Sequence, residues 1–588
     1  MSGFRLWAPT AGAVSVVVDG DERPMAPDAS GGASGWWAAP AGDAGHGTRY
    51  AFRVDGSDPV PDPRSLWQPD GVHAPGAVYD HGRHRWADGG WTGRPLPGAV
   101  IYELHVGTFT GEGTLAAAAD RLDHLVDLGV THVELMPLAA FDGDRGWGYD
   151  GVHLWAVHEP YGGPDGLKRF VDACHARGLG VILDVVYNHL GPSGNHLPRV
   201  APYFTDDHHT PWGAAVNLDR PHSDGVRDWI IGNARSWLID FRVDGLRLDA
   251  VHALRDDRAV HLLEELSERV DGWAAAEGRP LSLIAESDRN DPATVTPREA
   301  GGRGVHAQWD DDVHHALHAL LTGERQGYYC DFGTLGALAT TLAGAFLHDG
   351  RRSTFRGRRH GRPVDRHRTP GWRFVAFLQD HDQVGNRALG DRLSPALDPR
   401  LVRVGAGLLL TSPFTPMLFM GEEWAAATPW RYFTSFPDVE LGRAVSAGRR
   451  GEFSRHGWDA EDVPDPQDPA TFAASRLDWE EPAREPHAAT LAWYRRLIAL
   501  RRARPELADP RLDRVRCDVD EDAATLVVHR GGLRVVANVA AAPRRVALDA
   551  PARACLLASE PVAVAGGATV AELPARSLAV VEVDAPRP

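Results

Sequence analysis

Between Val100 and Gly421 the chain repeats one pattern: a short, uninterrupted apolar run, then a longer stretch with apolar positions every three to four residues. The runs are VIYELHV, HVELMPL, GVILDVV, GLRLDAV, LSLIAES, GVHAQWDD, RFVAFLQ and TPMLFMG. Runs of this length without polar alternation predict strands buried on both faces, as in a parallel sheet. Between them, TLAAAADRLDHLVDLG, WIIGNARSWLIDF and AVHLLEELSERV carry the helical period. GPDGLKRFVDACHARGLG does too, entered by Pro164-Asp165 and left at Gly178. Eight strands alternating with helices predict an α/β protein built on a (β/α)8 barrel.

The flanks read differently. Residues 1–92 hold short β-rich runs (FRLWAP, AVSVVV, RYAFRV) cut by Gly, Pro and Asp, predicting an N-terminal β-sandwich. A Pro-rich exit, Trp91 to Gly98, marks the boundary. Residues 93–504 form the predicted barrel unit. From 505 to 588 the pattern returns to strands (ATLVVHR, LRVVANVA, SLAVVEVD), predicting a C-terminal β-sandwich. Within the barrel, residues 189–224 form a polar, aromatic-rich excursion, PYFTDDHHTPWGAAVNLD. Such length without a repeating pattern predicts a functional loop walling the cleft.

Composition narrows the picture little. At 588 residues the chain exceeds one core. A net charge of −18 argues against nucleic acid or other polyanionic partners and suits a neutral substrate. Lys168 is the single lysine, so arginine supplies the positive charge. Nineteen tryptophans exceed the phenylalanines and are compatible with sugar stacking, although most are expected in the core. Cys174, Cys330, Cys517 and Cys555 are scattered without a CxxC pair, as expected in a reducing compartment. No apolar stretch is long enough to span a bilayer, and MSGFRLWAPT is not a leader, so a soluble cytoplasmic protein without membrane partners is expected.

The chemistry lies at the strand ends. Asp249, Glu286 and Asp382 each close an apolar run. The C-terminal ends of barrel strands are where such enzymes carry their catalytic groups. Three converging carboxylates suit glycosidic bond cleavage: a nucleophile, a proton shuttle and a group steadying an oxocarbenium-like transition state. Arg247, two residues before Asp249, shares its side of the strand and can hold it ionised. Glu286 ends an apolar strand with no basic neighbour in sequence, a setting that raises a carboxyl pKa and suits a general acid. Asp184 and His189 end the third strand, and His381 precedes Asp382. An isolated Arg-x-Asp is more often a structural ion pair. Four such strand ends in this order outweigh that explanation.

DVVYNH, GLRLDAVH, AES and FLQDHD resemble the four signature regions of the α-amylase superfamily of glycoside hydrolases. The resemblance implies Asp249 as nucleophile, Glu286 as acid/base and Asp382 as transition-state stabiliser. It puts Asp184, His189, Arg247 and His381 around the reacting sugar and Tyr149 of GWGYDGVH in the stacking position. Asp380 departs from it, standing where relatives commonly carry Asn; a negative charge beside Asp382 is expected. Four longer segments are similar to the maltooligosyltrehalose trehalohydrolase family: PDPRSLWQPDGVHAPGAVYD, YFTDDHHTPWGAAVNLD, GVHAQWDDDVHHALHALLTGERQGYYCDFG and MGEEWAAATPWRYFTSF. This implies hydrolysis of the α-1,4 bond next to the terminal trehalose of a maltooligosyltrehalose. Branching or debranching enzymes, and a non-catalytic glucan binder, are the competing readings. Candidates for reading the trehalose are His252, Asn386, Arg387, Glu422, Glu423 and Trp424, with a Glu423–Arg387 pair as the structural alternative. Trp212 and Phe204 are cleft platforms or loop core, Phe204 leaning to core. Asn188 falls where many amylases ligate calcium. Asp206 and Asp207 lack EF-hand spacing and no histidine group has a zinc arrangement, so no metal and no cofactor is expected. The basic run 351–368 reads as a solvated loop.

Overall fold

In the computed structural model, residues 3–28, 34–454 and 462–584 are described. All eight apolar runs become barrel strands, in order: Ile101–Leu104, His132–Leu135, Gly180–Val185, Gly245–Leu248, Ser282–Ala285, Ala307–Trp309, Phe374–Phe377 and Thr415–Phe419. Every neighbouring pair is parallel, and Met417↔Ile101 closes the ring between the eighth strand and the first. Every residue of these strands is buried, which is why the sequence shows runs rather than alternation.

The lumen is filled, not hollow. Ile101, Ile182, Ile284, Ala307, Trp309, Val375, Phe377 and Met417 form one apolar cluster inside the ring. Burying an aliphatic side chain of this kind contributes about 2 kcal/mol. The period of two then carries each strand from plug to chemistry. Two residues after Ile101, Ile182 and Ile284 stand Glu103, Asp184 and Glu286. The alternate positions, among them Leu183, Leu246, Leu248 and Leu283, pack outward into the main core with the helices. In the helix Gly163–Ala176, for example, Leu167, Phe170, Val171 and Cys174 are buried at helical spacing, and the chain leaves through left-handed Gly178 (φ 73°).

The N-terminal segment forms a three-stranded and a four-stranded antiparallel sheet. Its Trp7 presses on the helix Ser223–Arg235 so closely that a Cβ on Gly225 would stand 2.1 Å from the indole, so glycine is required there. The C-terminal segment forms a five-stranded sheet beside a two-stranded one, and Leu578 packs against Gly407 of the helix Pro399–Leu410 in the same way. Residues 189–224 contain a hairpin, Phe204–Thr210 with Gly213–Val216, whose tip carries Trp212. The basic run also forms a small hairpin, Arg352–Ser353 with Arg358–Arg359. No described helix is long and apolar enough to cross a membrane.

Candidate active site

A cavity of about 340 Å³ opens at the C-terminal end of the barrel. Asp249, Glu286, Asp382, Tyr149, His189, His252 and His381 line it, with Trp147, Trp212 and Tyr432. Arg247 is the hub beneath. Its Nη1 donates to Asp184 Oδ2 and Asp249 Oδ1, each at 2.8 Å, and its Nη2 lies 3.7 Å from Glu286 Oε2. The guanidinium also stacks 4.2 Å from the Trp309 ring. A fully buried arginine flanked by carboxylates stays charged, and its own pKa is driven further up by Asp184, Tyr149, Asp249 and Glu286 against the cost of burial.

Asp249 also accepts from Asn188 Nδ2 at 2.9 Å. The sequence noted Asn188 only as a metal position; here its amide orients the carboxylate. The next residue, Ala250, has left-handed backbone (φ 39°), an unfavourable setting for a side-chain-bearing residue. That turn aims its N–H at Glu286 Oε2, 2.5 Å away. Glu286 therefore does have a basic neighbour, Arg247, which sequence distance hid. Burial nevertheless outweighs the guanidinium and, with Asp249 and Asp382 nearby, pushes the Glu286 carboxyl up to about 8. Burial likewise lifts Asp184 to about 6 despite Arg247.

On the seventh strand's end, His381 is clamped from below. Glu103 Oε1 meets its Nδ1 at 2.5 Å and Glu103 Oε2 accepts its backbone N–H at 3.0 Å. Burial opposes charge on the ring, but Glu103 and then Asp382 overcome it and raise His381 to about 10. The Tyr149 hydroxyl bridges His381 Nε2 (2.8 Å) and Asp184 Oδ2 (2.5 Å). Asp382 is held by Asn386 Nδ2 at 3.0 Å. Asp380 is buried, and its Oδ1 caps the His381–Gly385 turn through the Gln383 N–H. Burial and Glu103 drive its carboxyl well above the ordinary range, which favours the neutral acid. That shift opposes the negative charge expected beside Asp382.

His189 Nε2–H donates to Tyr149 O (3.0 Å), and Trp212 stacks on its ring at 4.5 Å. Trp212 is 49% exposed at the cleft, whereas Phe204 packs against the core. The expectations behind the eighth strand need correction. Glu423 and Trp424 are fully buried away from the cavity: Glu423 accepts from Tyr102 and His124, and Trp424 Nε1 donates to Glu481. Glu422 is buried beside Tyr494. Left-handed Gly421 and Ala425 fold this short turn back into the outer layer. Arg387 pairs with Glu324 and Asp391 rather than Glu423. His252 stays at the rim, 3.9 Å from Asp288.

Sequence reasoning missed Glu103, Glu134, Asn188 as an orienting group and Trp147. Glu134 is buried in the lumen with both carboxyl oxygens unpaired among the described residues, and burial raises its pKa well above normal. A carboxylate inside an otherwise apolar strand was the available signal for Glu103 and Glu134. Asp206 and Asp207 lie on the hairpin, exposed. One described group, His208, Asp219 and Asp257, has metal-like spacing, but Arg220 Nη2 already lies 3.0 Å from His208 Nε2. That guanidinium occupies the place of a cation.

Comparison with known proteins extends this geometry. The alpha amylase catalytic domain model matches residues 84–206, and carbohydrate-binding module 48, the isoamylase N-terminal domain, matches residues 2–68. A solved structure described as a putative alpha amylase from Salmonella typhimurium superposes with TM-score 0.89 at 38% identity, covering 99% of this chain and 97% of its own. Fold and site together define a glycoside hydrolase of the α-amylase type. The Malto-oligosyltrehalose trehalohydrolase of Arthrobacter ramosus is 58% identical, over 92% of this chain and 93% of its own length. That of Mycobacterium tuberculosis (strain ATCC 25618 / H37Rv) is 50% identical over 100% of both. The chain belongs to the malto-oligosyltrehalose trehalohydrolase family.

Proposed function

We propose that this chain cleaves the α-1,4-glucosidic bond next to the terminal trehalose of maltooligosyltrehalose, with retention, releasing trehalose and a maltooligosaccharide. The observation that carries the mechanism is the unequal treatment of two neighbouring carboxyls. Arg247 and Asn188 donate to Asp249 and hold it in place, while burial keeps Glu286 protonated below about 8. That is the division of labour a retaining glycosidase needs.

In the first step Glu286 gives its proton to the glycosidic oxygen as Asp249 attacks the anomeric carbon. The bond to the leaving trehalose breaks and a glycosyl ester on Asp249 forms. In the second, Glu286, now ionised, takes a proton from water, which attacks the same carbon and frees Asp249. Asp382 binds hydroxyls of the reacting sugar, Tyr149 stacks on it, and the imidazolium of His381, held by Glu103, fixes the Tyr149 hydroxyl through Nε2. Trehalose as the leaving group is supported by the activity for which the relatives are named. Within this reading the catalytic unit is 93–504, 1–92 is a carbohydrate-binding module, 505–588 is a terminal sandwich, and the enzyme works in the cytoplasm on neutral α-glucans without metal or cofactor.

Product analysis tests the proposal. Maltotriosyltrehalose and maltopentaose are incubated in parallel and resolved by chromatography. Rapid release of free trehalose, with the plain chain cut far more slowly, is expected. Equal rates on both, or longer and branched products from amylose, would replace it with a broad amylase or branching activity.

A further inference from the structure

A second groove, of about 460 Å³, lies beside the cleft and exceeds it in volume. Arg145, Phe436, Val439, Arg443, Arg450 and Asp465 are among its lining residues. Its floor is the helix Val439–Ser454, and its other wall is the loop that follows the second barrel strand. We propose that this groove is a distal glucan subsite, holding glucose units of the donor chain far from the scissile bond. The proposal rests on the glycosidase reading above and adds where its long substrate runs.

Three observations converge. The first is direction. Glu286, which protonates the leaving group, follows the fifth strand, so the trehalose side lies there. In a closed eight-stranded ring the first strand stands opposite the fifth, between the eighth and the second. The groove is built from the loops after exactly those two, the eighth and the second, so it lies across the barrel mouth on the donor-chain side. The second is continuity. The two segments that form the groove also form the far wall of the catalytic cleft. Trp147 and Tyr432 line the cleft with rings 5.2 Å apart, and Trp147 Nε1 donates to Arg431 O at 2.9 Å. A few residues on, Ser435 Oγ accepts from the backbone N–H of Asp144 and Arg145 at 2.9 and 2.8 Å, locking loop to loop where the groove begins.

The third is chemistry. The groove joins apolar surface from Phe436 and Val439 with guanidinium donors and a carboxylate acceptor, the mixture that a sugar's apolar face and hydroxyl rim require. Asp465 is fixed by the Ser446 hydroxyl (2.6 Å) and the Gln467 N–H (3.0 Å), both at Oδ1. Its Oδ2 has a contact with Arg450 at 3.6 Å, longer than a hydrogen bond, and is free to accept from a hydroxyl. Gly442 lets the Gln467 side chain lie against the helix, since a Cβ there would stand 2.3 Å from Gln467 Nε2.

Ala447→Trp fills the groove from an exposed helix position, and Arg443→Ala removes a donor that is itself exposed. Each is measured for turnover on maltosyltrehalose and on maltohexaosyltrehalose. Each is also placed in an Asp249→Asn background and titrated with maltotriose and with maltoheptaose. Ala447→Trp is expected to lower kcat/KM and affinity for the long chain by roughly tenfold and leave the short one unchanged, with Arg443→Ala in the same direction but smaller. Equal effects on long and short chains, or none on either, overturn the subsite. If no substrate turns over yet the long chain alone loses binding, the groove stands and the proposed reaction falls.

Discussion

Glu286→Gln should stabilise the fold at alkaline pH while abolishing turnover. The Glu286 carboxyl is raised from an ordinary 4.5 to about 8, burial being the largest cause. Between those values the native state keeps a proton that the unfolded chain has released. Stability from this group is therefore complete below about 4.5 and falls as pH rises to about 8, by at most ~1.36 kcal/mol per unit. The whole window is an upper bound of roughly 5 kcal/mol. The side chain is partly open to the cleft, and glutamine keeps an oxygen to accept from Ala250 N–H, so a gain of about 1–3 kcal/mol above pH 8 is expected. Thermal midpoints of wild type and variant, measured from acid to alkaline pH, should coincide near pH 5 and separate as pH rises, the variant higher. Turnover should fall by at least ~10²-fold, the usual contribution of a general acid. A variant whose midpoint follows wild type at every pH, or drops below it in alkali, would refute the buried-proton argument; retained turnover would refute the choice of acid.

The pH profile of wild-type kcat/KM should have an alkaline limb near pH 8, as Glu286 loses its proton, and Glu286→Gln should lack it. Glu103→Gln removes the carboxylate that meets His381 at Nδ1 and backbone N–H, leaving Tyr149, Asp382, Asp380 and Arg247 around the ring. The His381 pKa should then fall from about 10 into the assay range, so activity should decline at lower pH than the wild-type alkaline limb set by Glu286; an unchanged profile would show that Glu103 only packs.

The eight strands and the three carboxylates were legible because one period governs both. A buried strand writes itself as an apolar run, and the polar residue that ends it necessarily stands at the barrel mouth. The same logic could have found Glu103 and Glu134, which interrupt apolar strands one register lower. What failed was reasoning from adjacency. Glu423 and Trp424 follow the eighth strand as directly as Asp249 follows the fourth, yet left-handed Gly421 and Ala425 turn them outward onto Tyr102, His124 and Glu481. Pairings between distant segments, such as Arg247 with Glu286 or Arg387 with Glu324, leave no local trace in the chain. The groove floored by the Val439–Ser454 helix was equally silent, because segments distant in sequence assemble it.

The account stands on Asp249 as the atom-bonding nucleophile, and trapping tests that most directly. Glu286→Gln, which cannot activate water, is loaded with an α-maltosyl fluoride, whose leaving group needs no proton. The protein is then digested and weighed by mass spectrometry. The account predicts a maltosyl ester on the peptide containing Asp249, lost in the additional Asp249→Asn variant. An adduct on another carboxylate, or rapid fluoride release with inverted product and no adduct, would contradict it.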